Sequence, residues 1–380
     1  MSSALRILFL GENWYGSCAR ACCYALRRLG CDVQDIDIQT LLPQFRRRSS
    51  RALVRVAAKI MEREYNALVI DIARRFAPDI LLAFKAALLR GDTLDVLHGQ
   101  GVALYNYYPD TSAFVHGPLL PDALPKYDCI FYTKRFWIND VSRCIRLKSW
   151  HFIGHGYDPE VHRPWELGPR DINRFRHDLV VIATYTTYKE AVLSQLLCKM
   201  PELDLAIWGN QWRERCRSPL VKRRLYGDAI TGTTYARALR AARINLAIMS
   251  GRVAGASQGD ETTTRTYEIP ACGGFMLHER NDEVLELFEE GKEIVCFSSI
   301  DELVEEIIYY LAHAQERQAI ATGGHARCVP AYSYDNRMAE LLRWHYRVTQ
   351  QPEFASYGSA AGHEQPMNTA PHSESKSASE

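Results

Sequence analysis

The sequence predicts an α/β protein made of two successive units, each a doubly wound, mostly parallel sheet. Three observations predict it. Short apolar runs ending in glycine or polar turns recur along the chain with helical patterns between them. The chain opens as strand, glycine turn, helix and strand. The same alternation restarts after a turn-rich crossing at 154–165, G-H-G-Y-D-P-E-V-H-R-P-W.

In the first unit, R-I-L-F-L-G at 6–11 is a buried strand closed by glycine. Residues 17–29 carry a helical pattern with Gly30 as its C-terminal cap, and 31–38 is a second strand. From Arg46 onward Arg47, Arg51, Arg55, Lys59 and Arg63 recur every fourth residue, forming a basic helical stripe opposite Leu53, Val56, Ala57 and Ile60. Strands follow at 79–84, 102–107, 128–133 and 150–153. In the second unit strands fall at 179–183, 203–208, 244–248, 275–278 and 293–297, with helices at 188–199 and 235–242 and a last helix at 335–347. The expected domains are 1–160, joined by the helix 335–349, and 161–334. The Gly-, Ser- and Pro-rich tail 351–380 is expected to be disordered.

The chain has 380 residues, 47% of them hydrophobic and 24% charged, which is ordinary for a globular protein with a sizeable core. Lys and Arg number 46 against 45 Asp and Glu, and this balance argues against a general nucleic-acid binder. The 11 cysteines are scattered, so they read as small buried hydrophobes in a reducing compartment. No signal-peptide pattern and no apolar run of about 20 residues is visible, so a cytoplasmic location is expected.

Polar chemistry concentrates at 259–277, G-D-E-T-T-T-R-T-Y-E-I-P-A-C-G-G-F-M-L. Asp260 and Glu268 stand eight positions apart, with Thr264, Arg265 and other hydroxyls between them. A carboxylate can accept two hydrogen bonds from a ribose diol, and a guanidinium fork suits a diphosphate. An ordinary Arg265–Glu268 surface pair, worth a few tenths of a kcal/mol, would account for neither Asp260 nor the threonines. Lys189, in T-Y-T-T-Y-K-E after the first strand of the second unit, stands where a helix N-terminus attracts phosphate. In I-W-G-N-Q-W, Trp208 and Gly209 close a strand, and a base stacked on Trp208 or Trp212 competes with plain packing of the indoles.

On the other half, the turn G-E-N-W-Y-G lacks the glycines of a dinucleotide fingerprint. Asn13, Trp14 and Tyr15 there offer groups suited to a sugar-like acceptor. Asp110, after Y-N-Y-Y-P, and His116 are candidates for a general base, although an Asp after Pro is more often a turn former. No metal-site spacing stands out. His151 and His155 lack a third ligand, and Asp35 and Asp37 lie within a strand.

With 259–277 in view, the second half resembles the group 1 glycosyltransferases of GT-B fold, in their CgeB-like branch. Further matching text is E-L-F-E-E-G-K-E-I-V-C-F-S-S-I-D-E-L at 286–303 and Y-S-Y-D-N-R at 332–337. The resemblance implies two Rossmann-like domains facing a central cleft, with the C-terminal helix crossing back to the first domain. It implies a nucleotide-diphosphate-sugar donor on the second domain and a hydroxyl acceptor (glycan, lipid-linked or protein) on the first. It also implies no essential metal and no cofactor beyond the nucleotide-sugar substrate. The family's ribose-binding glutamate falls on Glu268. Its partner eight residues earlier falls on Asp260, one methylene shorter, and its phosphate-binding cation falls on Lys189. Arg265 is typical of the branch. Two alternatives stand beside a transferase: a non-catalytic binding or coat-assembly protein, and a sugar-nucleotide epimerase. The basic stripe 47–63 reads first as a solvated face; the sharper alternative is docking on a polyanionic acceptor or, peripherally, on the anionic inner face of a membrane.

Overall fold

The computed structural model describes residues 4–40 and 51–349, with 51–56 described as backbone only. The readings that fall on Arg47, on the Arg51 and Arg55 side chains and on the 351–380 tail lie outside the described residues. Residues 4–11, 31–40 and 51–153 form one compact unit, and residues 12–30 and 154–349 form the other. The division falls at Ile153/Gly154 rather than at 160, and residues 12–30 group with the second unit. The cause is packing distant in sequence: the Cys18–Arg28 helix lies against the final helix, Tyr334–Thr349. Arg28 reinforces it, reaching Glu160 at 2.7 Å and Asp335 at 2.5 Å. The last helix thus lies against the chain's first helix, within the second unit.

The first unit is a six-stranded parallel sheet of β1 (Arg6–Gly11), β2 (Asp32–Asp37), β3 (Ile80–Phe84), β4 (Ala103–Tyr108), β5 (Cys129–Tyr132) and β6 (Trp150–Phe152), in the order β2-β1-β3-β4-β5-β6. Helices cover both faces of a parallel sheet, so its strands read as continuous apolar runs. Leu8, Leu81, Leu104 and Ile130 are accordingly fully buried. The helix expected to end near 63 runs on through Arg51–Phe76, because Tyr65, Val69 and Ala73 continue its buried face. Lys59 and Arg63 lie exposed on it.

The second unit repeats the plan with β7 (Leu179–Ile182), β8 (Leu205–Trp208), β9 (Leu225–Gly227), β10 (Ile244–Ala247), β11 (Met276–Glu279) and β12 (Val295–Phe297). Its order is β12-β11-β10-β7-β8-β9, all parallel. The direction of winding reverses between β7 and β10, where an open α/β sheet binds its ligands. Among the described residues no helix is long and apolar enough to cross a membrane.

Candidate functional site

The switch point of the second sheet gathers a charged cluster at the C-terminal ends of β7, β10 and β11. After β7, Thr186 caps the Thr187–Lys199 helix by accepting the Lys189 backbone N–H at 3.2 Å. The Lys189 side chain is 2% exposed, and its Nζ donates to Ser250 Oγ, beyond β10, at 3.0 Å. Burial, reinforced by the neighbouring Arg265, pulls the Lys189 ammonium down to about 7, against the opposing pull of Asp260 and Glu279. Glu279 ends β11 and accepts from Tyr188 Oη at 2.8 Å and from the Met249 N–H at 2.7 Å.

Arg265 stands in the first turn of the Thr264–Ala271 helix. Its Nη2 donates to the Ile248 carbonyl at 2.8 Å, which fixes the guanidinium beside Lys189. Its Nε is buried and has no hydrogen-bond partner among the described residues. Two helix N-termini, a lysine and an arginine with an unspent donor converge here, an arrangement suited to a phosphate-bearing anion.

One turn further along, Glu268 is 6% exposed. Its Oε2 accepts from Tyr235 Oη at 2.7 Å and from Thr264 Oγ1 at 3.1 Å. Burial and the adjacent carboxylate push the Tyr235 phenol well up, so it stays a donor. His162 Nδ1 accepts the Asp158 N–H at 3.1 Å, which leaves the proton of the neutral ring on Nε2, 3.8 Å from Glu268 Oε1. Glu268 is thus a fixed carboxylate in mid-helix. Asp260, in the preceding loop, is half-buried, and its backbone N–H donates to Ser250 O at 3.0 Å.

The other anticipated residues divide. Trp208 is 2% exposed, its ring enclosed by Phe175, His177 and Tyr226, so it offers no open face for a base. Trp212 is buried too, its Nε1 bonded to Ala183 O at 2.7 Å. Gly209 serves close packing: a Cβ there would lie 1.9 Å from Ala183 O, at φ +151°. Asn13, Trp14 and Tyr15 belong to the second unit, where the Tyr15 ring lies over Gly232 at the start of the Gly232–Ala241 helix that carries Tyr235. The side of the molecule assigned to them from sequence is therefore corrected. Trp14 and Tyr15 remain exposed.

In the first unit Asp110 and His116 do come together. His116 Nε2 lies 2.8 Å from Asp110 Oδ2, and Lys85 Nζ lies 2.5 Å from the same oxygen. Burial would raise the Asp110 carboxyl, but His116 and Lys85 outweigh it and hold it well below the usual carboxylate range. That makes Asp110 a poor base; His116 is its close neighbour, without an aligned hydrogen bond between the two. Lys85 itself adopts φ +64°, rare for a side-chain-bearing residue. Sequence reasoning missed Tyr235, His162, Ser250 and Glu279, whose parts are set by contacts distant in sequence.

Two parallel α/β sheets with an anion-suited switch point define a protein of GT-B architecture, whose second unit carries a glycosyl transferase-like segment. Residues 188–343 match the family model described as glycosyl transferase-like. The spore protein CgeB of Bacillus subtilis is 28% identical over 85 residues, a match that spans 22% of this chain and 25% of that protein. Sucrose-phosphate synthase from Thermosynechococcus elongatus superposes with a TM-score of 0.62 at 11% identity, over 92% of this chain and 100% of that one. Anabaena HepE in complex with UDP-glucose gives 0.59 at 15% identity, over 90% of this chain and 100% of that one.

Proposed function

We propose that the chain transfers a sugar from a nucleotide-diphosphate-sugar donor to a hydroxyl acceptor, without an essential metal. The observation that carries the reading is the convergence of Lys189 and Arg265, with its unpartnered Nε, at the topological switch point of the second sheet. Its support beyond geometry is the glycosyl transferase-like match over 188–343 and the UDP-glucose bound by HepE, a protein of the same fold.

In this reading the diphosphate lies on Lys189, Arg265 and the N–H groups of the two helix termini. When the bond from the anomeric carbon to the β-phosphate oxygen breaks, that oxygen gains charge. Fixed cations and dipoles stabilise it without reorganising. A returning anion also favours the protonated form of Lys189. Glu268 Oε1 is left to accept from a ribose diol while Tyr235 and Thr264 hold Oε2. The acceptor oxygen bonds to the anomeric carbon and gives up its proton. Within the first unit, the close pair of His116 and Asp110 keeps its candidacy from the sequence as a general base. The acceptor is a glycan, a lipid-linked sugar or a protein hydroxyl. The exposed Lys59 and Arg63 support contact with an anionic membrane surface as a further part of the reading. Equal flotation with neutral and anionic vesicles would remove that part.

The test is incubation with UDP-, GDP- and dTDP-sugars, with and without a panel of hydroxyl acceptors. Release of nucleoside diphosphate matched by new glycoside supports the reading. Conversion of the donor into an isomeric nucleotide sugar, with no diphosphate released, marks an epimerase. No turnover and no thermal shift with any nucleotide favours a binding or coat-assembly role.

A further inference from the structure

The N-terminal end of the second sheet's strands holds a cavity of about 240 Å³, below the roughly 300–1,000 Å³ of sites for drug-sized ligands. It opens where β7, β10 and β11 begin, about one strand length (~13 Å) from the donor-side ends of those strands. Four arginines line it: Arg176, Arg240, Arg243 and Arg317. Among the described ion pairs only Arg243 has one, with Asp178 at 2.6 Å. Four cations against one carboxylate leave a local charge of +3.

Backbone and neutral side chains complete the lining. Ala314 and Gln318 of the Ala314–Cys328 helix line the cavity. That helix has no side-chain cap at His313, and of its first turn Ala314 borders the cavity. Gly273, at φ +69°, presents bare backbone, and its carbonyl accepts from Arg240 Nη1 at 2.7 Å. Arg317 is held to the Tyr310 carbonyl. Its guanidinium is shifted down by burial and then by Arg243 and Arg176, with Asp178 opposing, so the arginines repel one another.

We propose that this cavity binds a small phosphate monoester, such as a sugar phosphate, at a site separate from the donor site. The chemistry selects a phosphate: planar guanidinium forks pair bidentately with its oxygens, and a dianion offsets an excess charge of this size better than a lone carboxylate does. The volume selects a compact molecule over a nucleotide sugar. The site rests on the second unit's geometry alone, so its failure leaves the donor reading untouched.

Isothermal titration with inorganic phosphate and with glucose 6-phosphate tests it, using the full chain, the double variant Arg176→Gln/Arg317→Gln, and Lys189→Gln. The wild type should bind glucose 6-phosphate. The double variant should bind it at least about tenfold more weakly, and Lys189→Gln should bind it as the wild type does. Arg176→Gln alone removes an exposed side chain with no described ion pair, so it keeps the test open if the double variant melts early; it should weaken binding severalfold. Undiminished affinity in the folded arginine variants, loss of binding in Lys189→Gln instead, or no binding by the wild type would each overturn the proposal.

Discussion

Replacing Lys189 with Met should make the unliganded protein more stable and unable to hold a nucleotide. The side chain is 2% exposed, and its ammonium is pulled from 10.5 to about 7. That displacement corresponds to roughly 5 kcal/mol for holding the charge in place at low pH. Met keeps the length and apolar stem, and loses the hydrogen bond to Ser250, worth about 1–2 kcal/mol. It also leaves Asp260 and Glu279 with one cation fewer. The expected net gain near pH 7 is therefore about 2–3 kcal/mol. The sign follows from proton counts. Between about 7 and 10.5 the unfolded lysine binds a proton that the folded one has released, so wild-type stability rises with pH through that window. The variant lacks this rise, and its advantage should shrink towards pH 10. Urea unfolding followed by tryptophan fluorescence at pH 7 and pH 9.5 measures both effects. Adding nucleotide at about 100 times Kd should stabilise the wild type by roughly 2.7 kcal/mol and leave the variant unmoved. A variant less stable than wild type at pH 7, or an advantage that does not narrow at higher pH, refutes the reasoning.

Nucleotide binding at pH 8 should take up close to one proton, because a diphosphate restores the Lys189 ammonium; calorimetry in buffers of different ionisation enthalpy would expose a contradiction as equal heats. Glu268→Gln should erase the preference for a ribonucleotide over its 2′-deoxy form, which in the wild type should be about tenfold; a retained preference means that the ribose sits elsewhere. His116→Ala should lower kcat by about 10²–10⁴-fold with the donor KM unchanged, and Asp110→Asn should cost less, since Asp110 is the poorer base of the pair. Gly209→Ala should destabilise by about 3 kcal/mol or more, because its methyl would meet Ala183 O at 1.9 Å; an unchanged melting temperature would show that the turn has room.

Much of this was readable in the chain itself. Runs such as Leu179–Ile182 and Leu205–Trp208 are apolar at every position because both faces of a parallel sheet are covered, so they stand out without alternation. β9 did not stand out: Leu225–Gly227 has three residues, and its pairing with β8 makes it a strand. Lys189 and Arg265 were singled out as charges at helix starts, and folding sets them side by side beyond the ends of β7 and β10. Trp208 stayed ambiguous in the sequence, since a tryptophan that closes a strand looks the same whether it faces a ligand or, as here, Phe175, His177 and Tyr226. Tyr235 and His162 carry no local signature; they matter because folding brings each beside Glu268. The grouping of residues 12–30 with the second unit was hidden for the same reason, since the partner helix, Tyr334–Thr349, lies some three hundred residues downstream.

A crystal structure of the chain with the nucleotide sugar selected by the transfer assay addresses the central claim most directly. The diphosphate should lie within hydrogen-bonding reach of Lys189 Nζ and Arg265 Nε, with the ribose diol on Glu268 Oε1. A nucleotide bound with those three groups untouched would contradict the account.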